Sequence, residues 1–261
     1  MSIRTKTEAG VTTLTLADPA SRNAITGAEM LEDILDILDE AETDPEVTVI
    51  VIDAEGPAFS SGGNVKDMAA GVGLFAGSPA EITEKYRNTI QQLTRFLATT
   101  DLVTIASVNG PAVGAGFDLV LGCDLRFGSR NARFAHTFIE MGIIPGDGGA
   151  WLLPRVVGWQ RATELALTAR FITAAEAESY GVLLEVVPED KLDERVGEFA
   201  RTIASKPAPA VILAKRLLRQ ARSMDLDGFL ELSAALQAIA HTTPEHSSAV
   251  ADYVDRLKDR D

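Results

Sequence analysis

Ala58-Phe59-Ser60-Ser61-Gly62-Gly63-Asn64-Val65-Lys66-Asp67-Met68 and Asn109-Gly110-Pro111-Ala112-Val113-Gly114-Ala115-Gly116-Phe117-Asp118-Leu119 decide how this chain is read. Each stretch follows an apolar, strand-like run and leads into a helix-like one. Glycine and alanine at a strand-to-helix turn let the backbone approach a ligand, and a helix start presents N–H groups that have no partner inside the helix. Two such turns can aim two amide donors at one oxygen. That arrangement is an oxyanion hole, which stabilises negative charge developing on a carbonyl oxygen. Taken singly, each turn is equally well a tight bend between small residues; the pair, with its flanking elements, favours the hole.

Working outward, Val11–Leu16 alternates like a half-buried strand, and residues 47–52 form a continuous β-branched run like a fully buried one. Between them Met30, Leu31, Ile34, Leu35 and Leu38 recur at helical spacing. Residues 69–80 have no period and three glycines, which predicts a mobile loop beside the site. The pattern predicts one amphipathic helix over 81–98, a buried strand over 102–108, a short helix over 114–121 and a strand over 125–128. Residues 134–149 read as irregular. Thr173 and Glu176 form a capping-box pattern with Gly181 as the stop, and residues 182–187 close the strand-containing part. From Pro188 onward only helical stretches are expected, four in number, broken at Lys206-Pro207, near residues 225–227 and at Thr243-Pro244.

Composition narrows the function. A chain of 261 residues can bury a large core as one domain, or as a main domain with a helical appendage. No apolar run approaches the ~18 residues of a membrane span, and the N-terminal residues lack a signal peptide's apolar segment, so a soluble cytoplasmic protein with no membrane partner is expected. One cysteine, Cys123, rules out an internal disulfide framework. With only His136, His241 and His246 beside it, no metal site is expected. A formal charge of −14 argues against a nucleic-acid partner, since phosphate backbones are bound by clustered Lys and Arg. Cys123 is expected to be a small buried residue, and His136 a structural one.

The two turns, together with residues 140–158, resemble the crotonase, or enoyl-CoA hydratase/isomerase, superfamily. The matching stretches are residues 58–68, residues 109–124 (NGPAVGAGFDLVLGCD), and Gly142-Ile-Ile-Pro-Gly-Asp-Gly-Gly149 running on through Leu153-Pro-Arg-Val-Val-Gly158. The resemblance implies an α/β fold, a spiral of β-β-α turns over residues 1–187, followed by a helical trimerisation region over 188–261. It implies a homotrimer or dimer of trimers acting on an acyl-CoA thioester, with no cofactor beyond the CoA moiety of the substrate. It also assigns the thioester oxygen to the N–H groups of Gly63 and Ala115, and the CoA channel to Ser61, Asn64 and Val65. Lys66 would sit near the phosphates or adenine, its alternative being a solvated helix charge, and Ala24 would contact the nucleotide.

The acid/base groups depart from the hydratase pattern, which has two glutamates facing each other across the substrate. Asp118 stands at the first of these positions, shorter by one methylene, and Phe138 at the second. Glu140, two residues on, would share the side of Phe138 in an extended segment. Asp147 lies one residue past a position where some isomerases and a dehalogenase of the superfamily carry a catalytic aspartate; its alternative is a helix N-cap. Asp118 is therefore the first catalytic candidate and Asp147 the second. Trp151, like Phe138, reads as pocket wall or core. The leading expectation is hydration of a 2-enoyl-CoA through an enolate. Double-bond isomerisation is the alternative, with a thioester hydrolase, a ring-opening enzyme or a catalytically weakened CoA-binding trimer behind it.

Overall fold

The computed structural model describes residues 2–258, the side chain of Ala28 excepted. β1 (Ile3–Glu8) and β2 (Val11–Leu16) form an antiparallel hairpin turned at Ala9-Gly10, both with positive φ. α1 (Ala28–Thr43) carries the chain back, so β3 (Val49–Ala54) pairs parallel to β2. The first glycine turn leads into α2 (Val65–Ala70), followed by α3 (Pro79–Asn88) and α4 (Ile90–Thr99). β4 (Val103–Val108) then joins β3 in parallel, and β5 (Pro111–Val113) leads through the second glycine turn to α5 (Ala115–Gly122). After β6 (Leu125–Ser129) and β7 (Arg133–Ala135) come α6 (Gly149–Val157), α7 (Trp159–Thr168), β8 (Ile172–Thr173), α8 (Ala174–Ser179) and β9 (Glu185–Val187). The chain ends in α9 (Leu192–Ala204), α10 (Ala208–Gln220), α11 (Leu226–His241) and α12 (Pro244–Lys258).

Among the described residues the strands form a main sheet in the order β1-β2-β3-β4-β6-β9 and a small one in the order β5-β7-β8. Successive strand residues face opposite ways. Ile50 and Ile52 of β3 enter the principal core with Ile34, Leu38, Leu93 and Leu97 of α1 and α4. Val49 and Val51 enter a second core with Ile105, Phe127, and Val196 and Ala200 of α9. The boundary expected after residue 187 thus runs through packed contacts: α9 closes the outer face of the sheet. α10 is tied on by charge, with buried Lys215 paired to Asp124 at 2.7 Å and Arg219 to Asp101 at 3.0 Å.

Two local expectations differ from the structure. The stretch 81–98 is two helices, α3 and α4, parted at Thr89 (φ −128°, ψ −102°); α3 begins at Pro79 behind a Ser78/Glu81 capping box. Residues 69–80 are built rather than loose. The end of α2 and a 3₁₀ turn at Gly73–Phe75 occupy them, and Lys85 Nζ donates to the carbonyls of Gly73 (2.8 Å) and Ala76 (2.7 Å).

Candidate active site

The two glycine turns are zipped together edge to edge. Phe59 N donates to Pro111 O at 3.0 Å and Val113 N to Ser60 O at 2.9 Å, and Ser60 and Ala112 form a parallel bridge. Contact is so close that a Cβ on Gly62 would lie 2.3 Å from Val113 O and 2.8 Å from Ala115 N, while one on Gly116 would lie 2.6 Å from Ser60 O. Only glycine allows that approach. Gly63 and Ala115 are thereby brought to one cavity of about 120 Å³, which both line. Among the described residues neither of their N–H groups donates to a backbone carbonyl. Ala115 opens α5, where a free N–H and the positive end of the helix dipole favour an oxygen that carries negative charge.

Asp147 lines the same cavity. Its backbone is held by α4: Thr94 Oγ1 donates to Asp147 O, and Gln91 Nε2 donates to Gly146 O at 3.0 Å. The carboxyl is buried, and burial, then the negative charge of Asp118, push it up to about 7. It is not a helix cap: Gly148 (φ 122°), which has no side chain to cap with, holds the N-cap position of α6.

Asp118, the first candidate from the sequence, is placed differently. It is buried behind the cavity, with Oδ1 2.6 Å from His136 Nε2 and Oδ2 accepting the Gly149 N–H at 2.9 Å. Both carboxylate oxygens are engaged, and Gly149 is the first residue of α6. The capping role considered for Asp147 thus falls to Asp118, and the carboxylate facing the cavity is Asp147. His136, read as structural with no partner at a recognisable spacing, is the partner of Asp118; its Nδ1 is buried and unpaired, and its ring meets Phe117 and Phe138 edge-on at 5.1 and 5.6 Å.

Phe138 lines the cavity as expected, but Glu140 does not join it. Residues Thr137–Met141 form a 3₁₀ turn rather than an extended run, so a side chain two residues on points elsewhere, and Glu140 is exposed. Trp151 is neither wall nor core; it is half exposed and stacked by Arg155, whose Cζ lies 3.8 Å from the ring centre. Ser61 and Val65 line the cavity mouth. Asn64 Oδ1 accepts the Lys66 N–H at 3.1 Å and so caps α2, and Lys66 itself is exposed. Ala24 and Asn64 line a separate cleft of about 300 Å³ that also carries Asp18, Glu29 and Asp67. Tyr86, which no sequence pattern marked, stands in the cavity wall; burial and then the charge of Asp147 raise its phenol above the usual value. Cys123 is buried as expected, its thiol pushed up to about 12 by burial. Among the described residues no group of three His, Cys, Asp or Glu side chains is placed to hold a metal, and no helix is long and apolar enough to cross a membrane.

A cavity with two free amides and one near-neutral carboxyl suits chemistry in which a thioester gains enolate character, and comparison with known proteins agrees. The chain belongs to the enoyl-CoA hydratase/isomerase family, whose model matches residues 6–260, within the crotonase superfamily. It is 32% identical over 247 residues to the 1,2-epoxyphenylacetyl-CoA isomerase of Escherichia coli K12, covering 95% of this chain and 93% of that one. It is 33% identical over 222 residues to 4-chlorobenzoyl coenzyme A dehalogenase-1 of an Arthrobacter species, covering 85% and 79%. The crystal structure of an enoyl-CoA hydratase from Bacillus anthracis superposes with a TM-score of 0.91 at 28% identity, covering 98% and 97%. Members of this family process acyl-CoA thioesters. These three relatives bear the names of an isomerase, a dehalogenase and a hydratase, so the family leaves the particular reaction open.

Proposed function

We propose that the protein moves a double bond along an acyl-CoA, converting a 3-enoyl thioester to the conjugated 2-enoyl form. One observation carries this reading: among the described residues lining the cavity, Asp147 is the only carboxylate. Isomerisation needs one base that removes a proton and returns it. The Asp147 carboxylate takes a proton from C2, and the electrons pass into the thioester oxygen between the N–H groups of Gly63 and Ala115. The resulting acid then delivers the same proton to C4, and the enolate collapses to the 2-enoyl product. Composition is unchanged. A carboxyl pushed up to about 7 suits both halves, because proton transfer is most effective when the catalytic group titrates near the working pH. The activating group is the substrate's own CoA thioester.

Hydration, the leading expectation from sequence, is the second reading, favoured by the likeness to an enoyl-CoA hydratase structure. It calls for activation of water as well as protonation at C2, and Phe138 occupies the place of a second acid while Glu140 faces solvent. The deciding experiment incubates the enzyme with a 3-enoyl-CoA and a 2-enoyl-CoA in deuterated water. Migration of the double bond without added oxygen supports the proposal. A 3-hydroxyacyl product as the main outcome supports hydration instead.

A further inference from the structure

The walls of the cavity describe the acyl group it takes. Its volume of about 120 Å³ is well below the ~300–1,000 Å³ typical of pockets for large ligands and close to the ~150 Å³ of a cavity that holds benzene. Its apolar lining includes the flat or polarisable side chains Phe75, Tyr86, Phe138, Met68 and Met141. Phe75 Cζ and Met68 Cε each lie 3.9 Å from the point a Cβ on Gly63 would occupy, and Phe138 Cζ lies 3.6 Å from the equivalent point on Gly114. An aromatic ring therefore stands against each of the two glycine turns. Tyr86 Cε1 lies 3.4 Å from the Cβ point of Gly146, next to Asp147, and Met141 and Ile143 also line the cavity.

The wall is braced. Phe75 ends the 3₁₀ turn; the carbonyls of Gly73 in it and of Ala76 just past it accept from Lys85 Nζ, and Lys85 and Tyr86 are neighbours on α3. Electrostatics adds a second restriction. Among the described residues of the lining Asp147 is the only charged side chain, and none is Lys, Arg or His. An acyl group ending in a carboxylate would be desolvated there with no cation to meet it.

We infer that the acyl group of the substrate is uncharged and compact, a single six-membered ring or a chain of no more than about six carbons, with Phe75 and Tyr86 setting the limit. Rings are favoured partners for such walls, since edge-on aromatic and sulfur–aromatic contacts add to apolar burial. The inference rests on the reading of this cavity as the acyl-CoA site.

Equilibrium binding of thioesters that have no isolated alkene, and so cannot undergo the double-bond shift, tests it. Butyryl-CoA and phenylacetyl-CoA are expected to bind at least tenfold more tightly than CoA itself. Decanoyl-CoA and succinyl-CoA are expected to bind no more tightly than CoA. Phe75→Ala, and the milder Phe75→Leu should the first not fold, are expected to tighten decanoyl-CoA by roughly tenfold or more while leaving CoA unchanged, the scale on which apolar pockets discriminate chain length. Decanoyl-CoA binding the wild type as tightly as butyryl-CoA, or succinyl-CoA binding more tightly than CoA, would overturn the inference and leave the acyl-CoA reading standing. Failure of CoA and every thioester to bind would overturn that reading and this inference with it.

Discussion

Asp118 and Asp147 share one corner of the fold but face different partners. Asp118 accepts from Gly149 N–H at 2.9 Å and lies 2.6 Å from His136 Nε2, leaving Asp147 to face the cavity. Only Gly148 separates Asp147 from Gly149, so the carboxylate that anchors the start of α6 also fixes where Asp147 stands. Its negative charge is the second cause, after burial, of the raised Asp147 value. In the proposed mechanism Asp118 is thus a positioning residue.

The stability of an Asp147→Asn variant follows from the direction of that shift. The folded value, about 7, lies above the ordinary carboxylate value of 3.8, so the fold binds the Asp147 proton more tightly than the unfolded chain does. That contribution to stability is fully present below pH 3.8 and is lost as pH rises through about 7. Urea unfolding at pH 8 should find Asp147→Asn more stable than wild type, by at most ~4 kcal/mol, with the difference shrinking at pH 5. A variant less stable than wild type at pH 8 would contradict the burial of an unpartnered carboxylate.

Activity should show the same group. A base must be ionised, so kcat/KM should rise with pH through about 7 rather than near 4. In Asp118→Asn the neighbouring negative charge is gone while an oxygen remains to accept the Gly149 N–H. Its limb should move to lower pH. An unmoved limb in a folded variant would remove Asp118 from the tuning of Asp147.

Gly149→Ala should be poorly tolerated, because the added Cβ would lie 2.0 Å from Asp118 Oδ1. Overpacking of this kind costs roughly 1–3 kcal/mol, occasionally more, and here it also pushes Asp118 off the α6 start. Thermal unfolding and turnover should fall together. Wild-type stability in this variant would mean that the Asp118–Gly149 contact is not as close as described.

Assembly is testable separately. The last helices leave Leu218 at 74%, Leu226 at 69% and Tyr253 at 59% exposure, apolar surface that a subunit contact would cover. Light scattering should give a trimer or hexamer at micromolar concentration, and Leu218→Glu with Leu226→Glu should dissociate it. A monomeric wild type would contradict the trimer expectation.

Much of this is legible in the sequence, and the part that is not has a common cause. The glycine turns, the alternating and continuous strand runs and the Thr173/Glu176 box are local patterns, and each sits where its chemistry requires. The assignment of the aspartates depends on which of them binds the Gly149 N–H, 31 residues from Asp118, and the Asp118–His136 pair spans 18 residues. No spacing rule reveals such pairings. Glu140 departs from expectation because a 3₁₀ turn replaces an extended segment, which changes the side on which its carboxylate emerges. Tyr86 becomes visible only once α3 is docked against the loop at Gly146.

In the proposed mechanism Asp147 alone moves the proton while the amides of Gly63 and Ala115 hold the oxygen. Exchange of the C2 protons of butyryl-CoA in deuterated water, followed by mass spectrometry, isolates that step from any later chemistry. Wild type should catalyse the exchange, and Asp147→Asn should slow it by ~10²–10⁴-fold with butyryl-CoA binding nearly unchanged, the range for loss of a general base. Exchange at the wild-type rate in a folded Asp147→Asn protein would contradict the account.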